Sequence, residues 1–532
     1  MFTALHPTVN LLDTSRMRIP LLVVCVAVAI ASSGCRGGPS GDDRLAYYET
    51  YDPRSLDPAL STDVPTGEMV SFVFDGLTGF DANGRLVPGL SDRWTPLQNG
   101  RRYLFHLRAG VKFHNGAALR ADDVRRSFER VLNPRSTGGR AWPLYPIAGA
   151  QDYAAGKAQS IRGIAVLGDT AVAFDLTEPL AIFPKFLAMP VAAIVPSPAP
   201  ADLAAHPVGT GPWRFVTWKH DDYLLFARNP DYWGGAPRAE SLAVRIIPEP
   251  LTLGAELEAG RLSVAEVPFG ETSRWRAQHA AWLQSKPELR VQYVALNTQR
   301  GALKDERVRQ AINYAVNVPE ILQTVWSGRG ILARGSIPPL LAGSDTARAA
   351  YRFDPAKAKQ LLAAAGYGGG LDLQLWRTSN NVALGRVAQA IQANLAEVGI
   401  RVEIVERDAS SQREAARSGK ADMALLDWWA DYPDGDNFLF PLYYSGNAGV
   451  GGNYAFFKDP VTDSLLLRSR RTTDDATRTA LYRQIDERVY RAAPWLYLWF
   501  PTALWAMHPS VAGWEFPAIS NGQRWVTVRR HP

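Results

Sequence analysis

Apolar residues recur along this chain with two periods, and the switches between them outline its elements. In "RRYLFHLRAGVKFHNG", Tyr103, Phe105 and Leu107 alternate with polar positions before Asn115 and Gly116, which predicts a strand closing in a hairpin-type turn. "ADDVRRSFERVLNP" changes to helical spacing. Val124, Phe128, Val131 and Leu132 share one face, Asp122 or Asp123 is placed to cap the start, and Pro134 stops the run. Upstream, "AYYETYDPRSLDPALSTDVPTGEMVSFVFDGL" predicts a strand, a proline-punctuated turn region and then a helix. The helix starts near Pro65 and Thr66, with Val70, Val73, Phe74 and Leu77 at helical spacing.

A Pro- and Ala-rich passage at residues 195–213 interrupts this pattern and marks a boundary that the chain crosses. Two strands follow, "WRFVTW" and "YLLFARN", around the polar turn "KHDD". "LRVQYVALNTQ" predicts another strand, and a helix from Asp305 carries Val308, Ala311, Ile312 and Ala315 on one stripe. The most readable stretch is 350–430. Asp354 caps a helix whose first turn holds Pro355 and whose end is Gly366. Strand "LDLQLW", a helix over 382–398, strand "RVEIVE", a short helix through "REAARSG" and strand "ADMALLDWW" come next. Strand–helix–strand alternation at these lengths implies parallel pairing with right-handed crossovers.

With 532 residues the chain is too long for one core and should divide into two or three domains. It is 46% hydrophobic and 21% charged, as a globular protein is, and its 16 Trp, 19 Tyr and 20 Phe suit a cleft walled by flat side chains. The net charge of +6 is spread among mixed signs, with no basic tract interleaved with aromatics, so nucleic acid is not an expected partner.

Both cysteines, Cys25 and Cys35, fall in the first 35 residues, so the remaining chain is not a disulfide-built scaffold. Arg16 and Arg18, the apolar "IPLLVVCVAVAIA" and the small-residue "SSGC" form an export signal, for which Met17 would serve as a start. Its end resembles a bacterial lipoprotein box with Cys35 as the lipidated first mature residue, although Ser32 stands where such boxes usually have Leu. "RGGPSGDD" would then be a flexible tether to the membrane.

The stretch "LLDWWADYPDGDNF" holds the densest candidate chemistry: Trp428, Trp429, Asp427, Asp431, Asp434 and Asp436. Its spacing departs from the calcium-loop pattern and no His or Cys lies nearby, so no metal is expected. No G-x-S-x-G occurs, and "GTG" and "GVGG" lack the Lys-Ser/Thr of a phosphate loop. A remote carboxylate partner for glycoside cleavage stays open. Asp434 and Asp436 fit turn-forming roles ahead of a helix near Asn437. Asp431 falls past the carboxyl end of a strand in an open α/β unit, where such sheets bind ligands. Beside two indoles, its carboxylate suits an ammonium group.

Taken together, "SLDPALSTD", "FHLRAGVKFHNGAALRADDVRRSFERV", "PVGTGPWRFVTW", "RNPDYWGG", "LNTQRGALKDERVRQAINYAVN", "FDPAKAKQLLAAAGY", "WWADYPDGDNF" and "APWLYLWF" resemble, in order and over about 45–515, the bacterial extracellular solute-binding proteins of family 5. These are the oligopeptide- and dipeptide-binding partners of ABC importers. The resemblance implies an α/β clamshell of two lobes, of the class II periplasmic-binding type, with an extra subdomain inserted in the first lobe. After a signal (1–35) and tether (36–43), the first lobe would comprise 44–67, 201–290 and 509–532. The insertion would be 68–200 and the second lobe 291–508, with hinge strands near 290 and 505.

The resemblance also implies that Asp431 holds the α-amine of a peptide. The backbone of Asp427 to Trp429, facing Thr62, Asp63 and Val64, would bond the ligand as an added strand. Tyr497 would line the cleft. Dipeptide-specific members carry an Arg for the ligand carboxylate. An ungapped count puts Thr378 there and Arg377 one residue before it, so the range of ligand length stays open. The expected protein is no enzyme. It is a monomeric, cofactor-free receptor, exported and lipid-anchored, that hands peptides to an ABC permease and its ATPase subunits. A nickel, haem, sugar or opine ligand is the alternative within the fold, and a cell-envelope hydrolase is the rival outside it.

Overall fold

The computed structural model describes residues 44–531 except 137, 139, 380 and 450; the export segment, Cys35 and the tether lie outside the described residues. No helix among the described residues is long and apolar enough to cross a membrane.

The architecture is mixed α/β. One four-stranded sheet has the spatial order Arg44–Glu49, Ser241–Ile246, Tyr223–Arg228, Trp213–Lys219, and a second joins Ser91–Leu97, Arg102–Leu107, Ala171–Asp175 and Ile164–Leu167. Tyr103, Phe105 and Leu107 all point inward, as their alternation predicts. The helix Ala121–Val131 forms with Val124 and Phe128 buried, but its cap differs from expectation. Arg120 occupies the N-cap position, and Asp123 in the first turn accepts a hydrogen bond from the Arg120 N–H at 2.7 Å. The upstream helix spans Val64–Val73, so Leu77 lies beyond it.

The largest sheet has eight strands. Its main path runs Val264–Glu266, Trp495–Met507, Arg290–Leu296, Met423–Trp429, Leu371–Thr378 and Ile400–Arg407. Leu371–Thr378 pairs in parallel with both Ile400–Arg407 and Met423–Trp429, as the alternating elements predict. The intervening helix Val382–Glu397 buries Leu384, Val387, Ile391 and Leu395 on this sheet.

The strand Trp495–Met507 has 13 residues, roughly twice the usual length. Up to Pro501 it pairs with Arg290–Leu296 and Gly330–Leu332; from Thr502 onward it pairs with Leu283–Pro287 and Val264–Glu266. One strand thus serves two sets of neighbours, and the change of partners falls at Pro501, whose carbonyl accepts from the Glu288 N–H at 2.9 Å.

Candidate ligand-binding site

The strand Met423–Trp429 starts in the core and ends in a cleft. Met423, Ala424 and Leu425 are buried, whereas Asp427 and Trp429 are exposed. Successive strand residues face opposite sides, and the two indoles separate accordingly. Trp428 lines a cavity of about 610 Å³ together with Asp431, Trp142, Tyr145, Phe186 and Phe440. Trp429 lines another, of about 210 Å³, with Val64, Glu68, Glu266 and Glu288. The expectation that both indoles flank Asp431 is therefore corrected: only Trp428 shares its cavity.

A buried amide fixes the loop. Asn437 Oδ1 accepts from Trp428 Nε1 and from the Asp431 backbone N–H, each at 3.1 Å. Asn437 is held by the helix Gly435–Tyr443, whose N-cap is Asp434, accepting from the Asp436 N–H at 2.9 Å. Asp434 and Asp436 are structural, as their turn-forming pattern predicts, and both are also ion-paired. Asp434 meets Lys185 at 2.6 Å, and Asp436 accepts from the Tyr432 hydroxyl at 2.7 Å with Arg470 at 3.5 Å. Burial pushes the Asp436 carboxyl up; for Asp434 burial also pushes upward, but Lys185 and the Asp436 N–H bring it below the ordinary carboxylate value.

Asp431 itself already carries a cation. Arg140 Nη2 donates to Asp431 Oδ1 at 2.6 Å from a segment 291 residues away in sequence. The Asp431 side chain is 20% exposed and that of Arg140 42%, so the pair is partly open to solvent rather than in the core, with Asp431 at the cavity wall. Asp427 is occupied as well. It accepts from Arg290 Nε at 2.9 Å, and the Arg290 guanidinium lies 4.5 Å from the centre of the Trp429 ring, bracing one face of the indole.

On the opposite wall, Asp63 caps the helix Val64–Val73, accepting from the Thr66 N–H at 2.9 Å. Asp63 is extended, Thr62 is half-buried, and Val64 is exposed and opens the helix, so only the residues before Val64 offer strand-like backbone.

Two expected site residues face elsewhere. Arg377 is buried, paired with Glu406, and donates to the Thr378 carbonyl at 2.8 Å; one residue before the end of its strand, it lies against Gly385 of the helix Val382–Glu397. Tyr497 is buried among Tyr490 and Trp495, because its strand lies inside the large sheet with both faces covered, and its hydroxyl donates to the Val489 carbonyl. Sequence reasoning missed Arg140, Glu68, Asn437 and the Trp505 and Trp514 walls. Arg140, Glu68, Trp505 and Trp514 are brought in by tertiary contact, without a local signal, whereas Asn437 lies six residues from Asp431 in the same stretch, where its position reads only as the start of a helix.

The model for bacterial extracellular solute-binding proteins, family 5 middle, matches residues 85–450. The chain is 29% identical over 531 residues to the dipeptide-binding protein of Escherichia coli (strain K12), covering 95% of this chain and 97% of that protein. It is 30% identical over 499 residues to heme-binding protein A of Haemophilus influenzae, covering 89% and 90%. Among solved structures, the periplasmic binding protein DppA from Helicobacter pylori, in complex with peptide STSA, superposes with a TM-score of 0.74 at 28% identity, covering 92% of this chain and 98% of that one. The chain belongs to family 5 of the bacterial extracellular solute-binding proteins, the binding components of ABC importers.

Proposed function

We propose that this protein captures peptides through their free amino terminus in the interlobe cleft and delivers them to the membrane permease of an ABC importer. The observation that carries this reading is the Asp431 carboxylate, held at the end of its strand by Asn437, walled by aromatics and paired with a cation. A peptide ammonium would take the place of Arg140. Dipeptides offer such a group, and so does the peptide STSA; haem does not, which favours the peptide reading over the haem one.

The ligand backbone would lie between Asp427 to Trp429 and Thr62 to Val64, and closure would follow rotation of the lobes about the strands near Pro501. Closure is favoured only to the extent that the ligand binds the closed state better than the open one. Residues 44–67, 201–290 and 509–532 would form the first lobe, 68–200 its inserted subdomain and 291–508 the second lobe. Neither Arg377 nor Tyr497 enters this site as the protein stands. Cys35 would anchor the monomeric receptor to the membrane surface, and no catalytic step is assigned.

The deciding experiment compares a tripeptide with its Nα-acetylated form by calorimetry. Asp431→Ala should weaken the free-amine peptide at least about tenfold more than the acetylated one, the value of a charge-assisted bond. Equal losses would remove the amine-binding role, and recovery of cleaved peptide would favour a hydrolase.

A further inference from the structure

The cavity on the other side of the Asp427 to Trp429 strand has a different chemistry from the Asp431 cavity. At about 210 Å³ it is smaller than the roughly 300 Å³ at which whole small-molecule sites begin. It is the size of a side chain. Three carboxyl residues line it, Glu68, Glu266 and Glu288, and its apolar walls include Tyr47, Trp429 and Trp505.

The acids are unequally served. Glu266 has Arg329 at 3.0 Å, and Glu288 has Arg290 at 3.7 Å. Glu68 has no cation among the described residues. It is 7% exposed, its Oε2 has no hydrogen-bond partner, and the groups that face it are the Glu49 carboxyl and the Tyr47 phenol. Glu49 is buried too, with its own Oε1 unpartnered and Asp63 as a further acidic neighbour. Neither Glu49 nor Glu68 has an ion-pair partner among the described residues. A buried carboxyl pair without a countercharge resists ionisation, and a cation brought into the adjoining cavity would offset that cost.

We propose that this cavity binds an organic cation, the ammonium or guanidinium group of a basic side chain on the bound peptide, with Glu68 as its principal counter-ion and Trp429 and Trp505 as its aromatic walls. The ligand in this statement rests on the peptide reading above; the charge preference rests on the cavity alone. Indole faces attract cations as well as excluding water, so they add to the selection. Because burial pushes the Glu68 and Glu288 carboxyls up to about 7, arrival of a cation draws protons off them, and binding releases protons. The cavity touches the long strand's neighbour Val264–Glu266 through Glu266 and, through Trp429, the strand that pairs with its other neighbour Arg290–Leu296, so the side chain it receives bears on lobe closure.

The test uses Lys-Ala-Ala, Ala-Lys-Ala and Ala-Ala-Lys, each beside the peptide with norleucine replacing lysine, and cadaverine as a free cation. At least one lysine peptide should bind about tenfold tighter than its norleucine partner, with proton release visible as a dependence of binding enthalpy on buffer. In Glu68→Gln that ratio should fall to near one, and cadaverine should lose its Trp fluorescence response. If lysine and norleucine peptides bind alike, the cation site is overturned while the peptide reading stands. If no tripeptide binds but cadaverine does so in a Glu68-dependent manner, the cavity stands and the peptide reading falls. If neither shows a dependence on Glu68, the cation site is overturned.

Discussion

Arg140 and Asp431 face each other at 2.6 Å, so the carboxylate proposed to receive a ligand amine is already neutralised by the protein's own guanidinium. Binding at this position is then an exchange of one cation for another. A pair this exposed is worth about 0.2–1 kcal/mol, so Arg140 is a weak competitor and not a lock. Arg140→Ala should therefore tighten binding of a free-amine tripeptide about two- to fivefold, by calorimetry, and leave the Nα-acetylated peptide unchanged. Weaker binding of both forms would make Arg140 a ligand contact in its own right.

Arg377 presents the opposite case. The resemblance places it near the position of a carboxylate-binding Arg, yet it is buried against Gly385 and paired with Glu406. Its loss should be felt in the fold. Arg377→Met is expected to lower stability by about 1.5–3 kcal/mol, the value of hydrogen bonds to a charged group, as read from urea unfolding. Peptide affinity should stay within twofold. A large loss of affinity with stability intact would return Arg377 to the binding site.

The contrast between these arginines shows where sequence reading succeeds. The elements of 350–430 are legible because caps and periodicity are local: Asp354 accepts from the Lys357 N–H at 2.8 Å, and Gly366 has the positive φ that ends the helix. Asp431 could be placed because a strand end in an α/β unit is a local inference as well. Arg140 could not, since its segment has no periodicity and its partner lies 291 residues on. Tyr497 misleads for another reason. "PWLYLWF" is apolar without alternation, the mark of a strand covered on both faces, so its aromatic residues belong to the core. Glu68 sits in a helix buried nearly all round, where a lone acid gives no sign of the cavity it faces.

The C-terminal segment that supplies Trp514 and Phe516 to the smaller cavity is tied down by a buried network. Asp75, 3% exposed, pairs with Arg524 and accepts from Thr210 Oγ1 at 2.7 Å and Trp233 Nε1 at 3.0 Å. Arg524 also donates to the Ser71 carbonyl at 2.8 Å and to that of Phe74 at 3.0 Å. Asp75→Ala would leave a buried guanidinium without its counter-ion, a loss of about 3–5 kcal/mol. Urea unfolding should show that loss, and binding of lysine peptides should weaken with it as the cavity wall loosens. Unchanged stability would mean that the segment is held by its aromatic packing alone.

The uncompensated acids also set how the empty protein responds to pH. Burial and the neighbouring carboxyl push Glu49 well up, while burial takes Glu68 up to about 7; Tyr47, Tyr48 and Asp63 are the other titratable groups facing the pair. Unfolded, these carboxyls ionise near 4.5, whereas folded Glu68 keeps its proton until about 7. In that window the folded state binds more protons than the unfolded one, so stability is fully present below about 4.5 and declines as pH rises through 7. The slope is up to about 1.4 kcal/mol per pH unit for each such group. Glu256 and Asp459, held down to about 2 by their arginine partners, act with the opposite sign and only below this window. Glu68→Gln removes one titrating group without changing shape. Urea unfolding at constant ionic strength should therefore find the two proteins similar at pH 5 and the variant more stable by about 1–3 kcal/mol at pH 8. A pH-independent difference would mean that Glu68 is ionised in the folded protein across this range. A lysine peptide at saturation should abolish the difference in the wild type, because the cation then supplies the charge that the fold withholds.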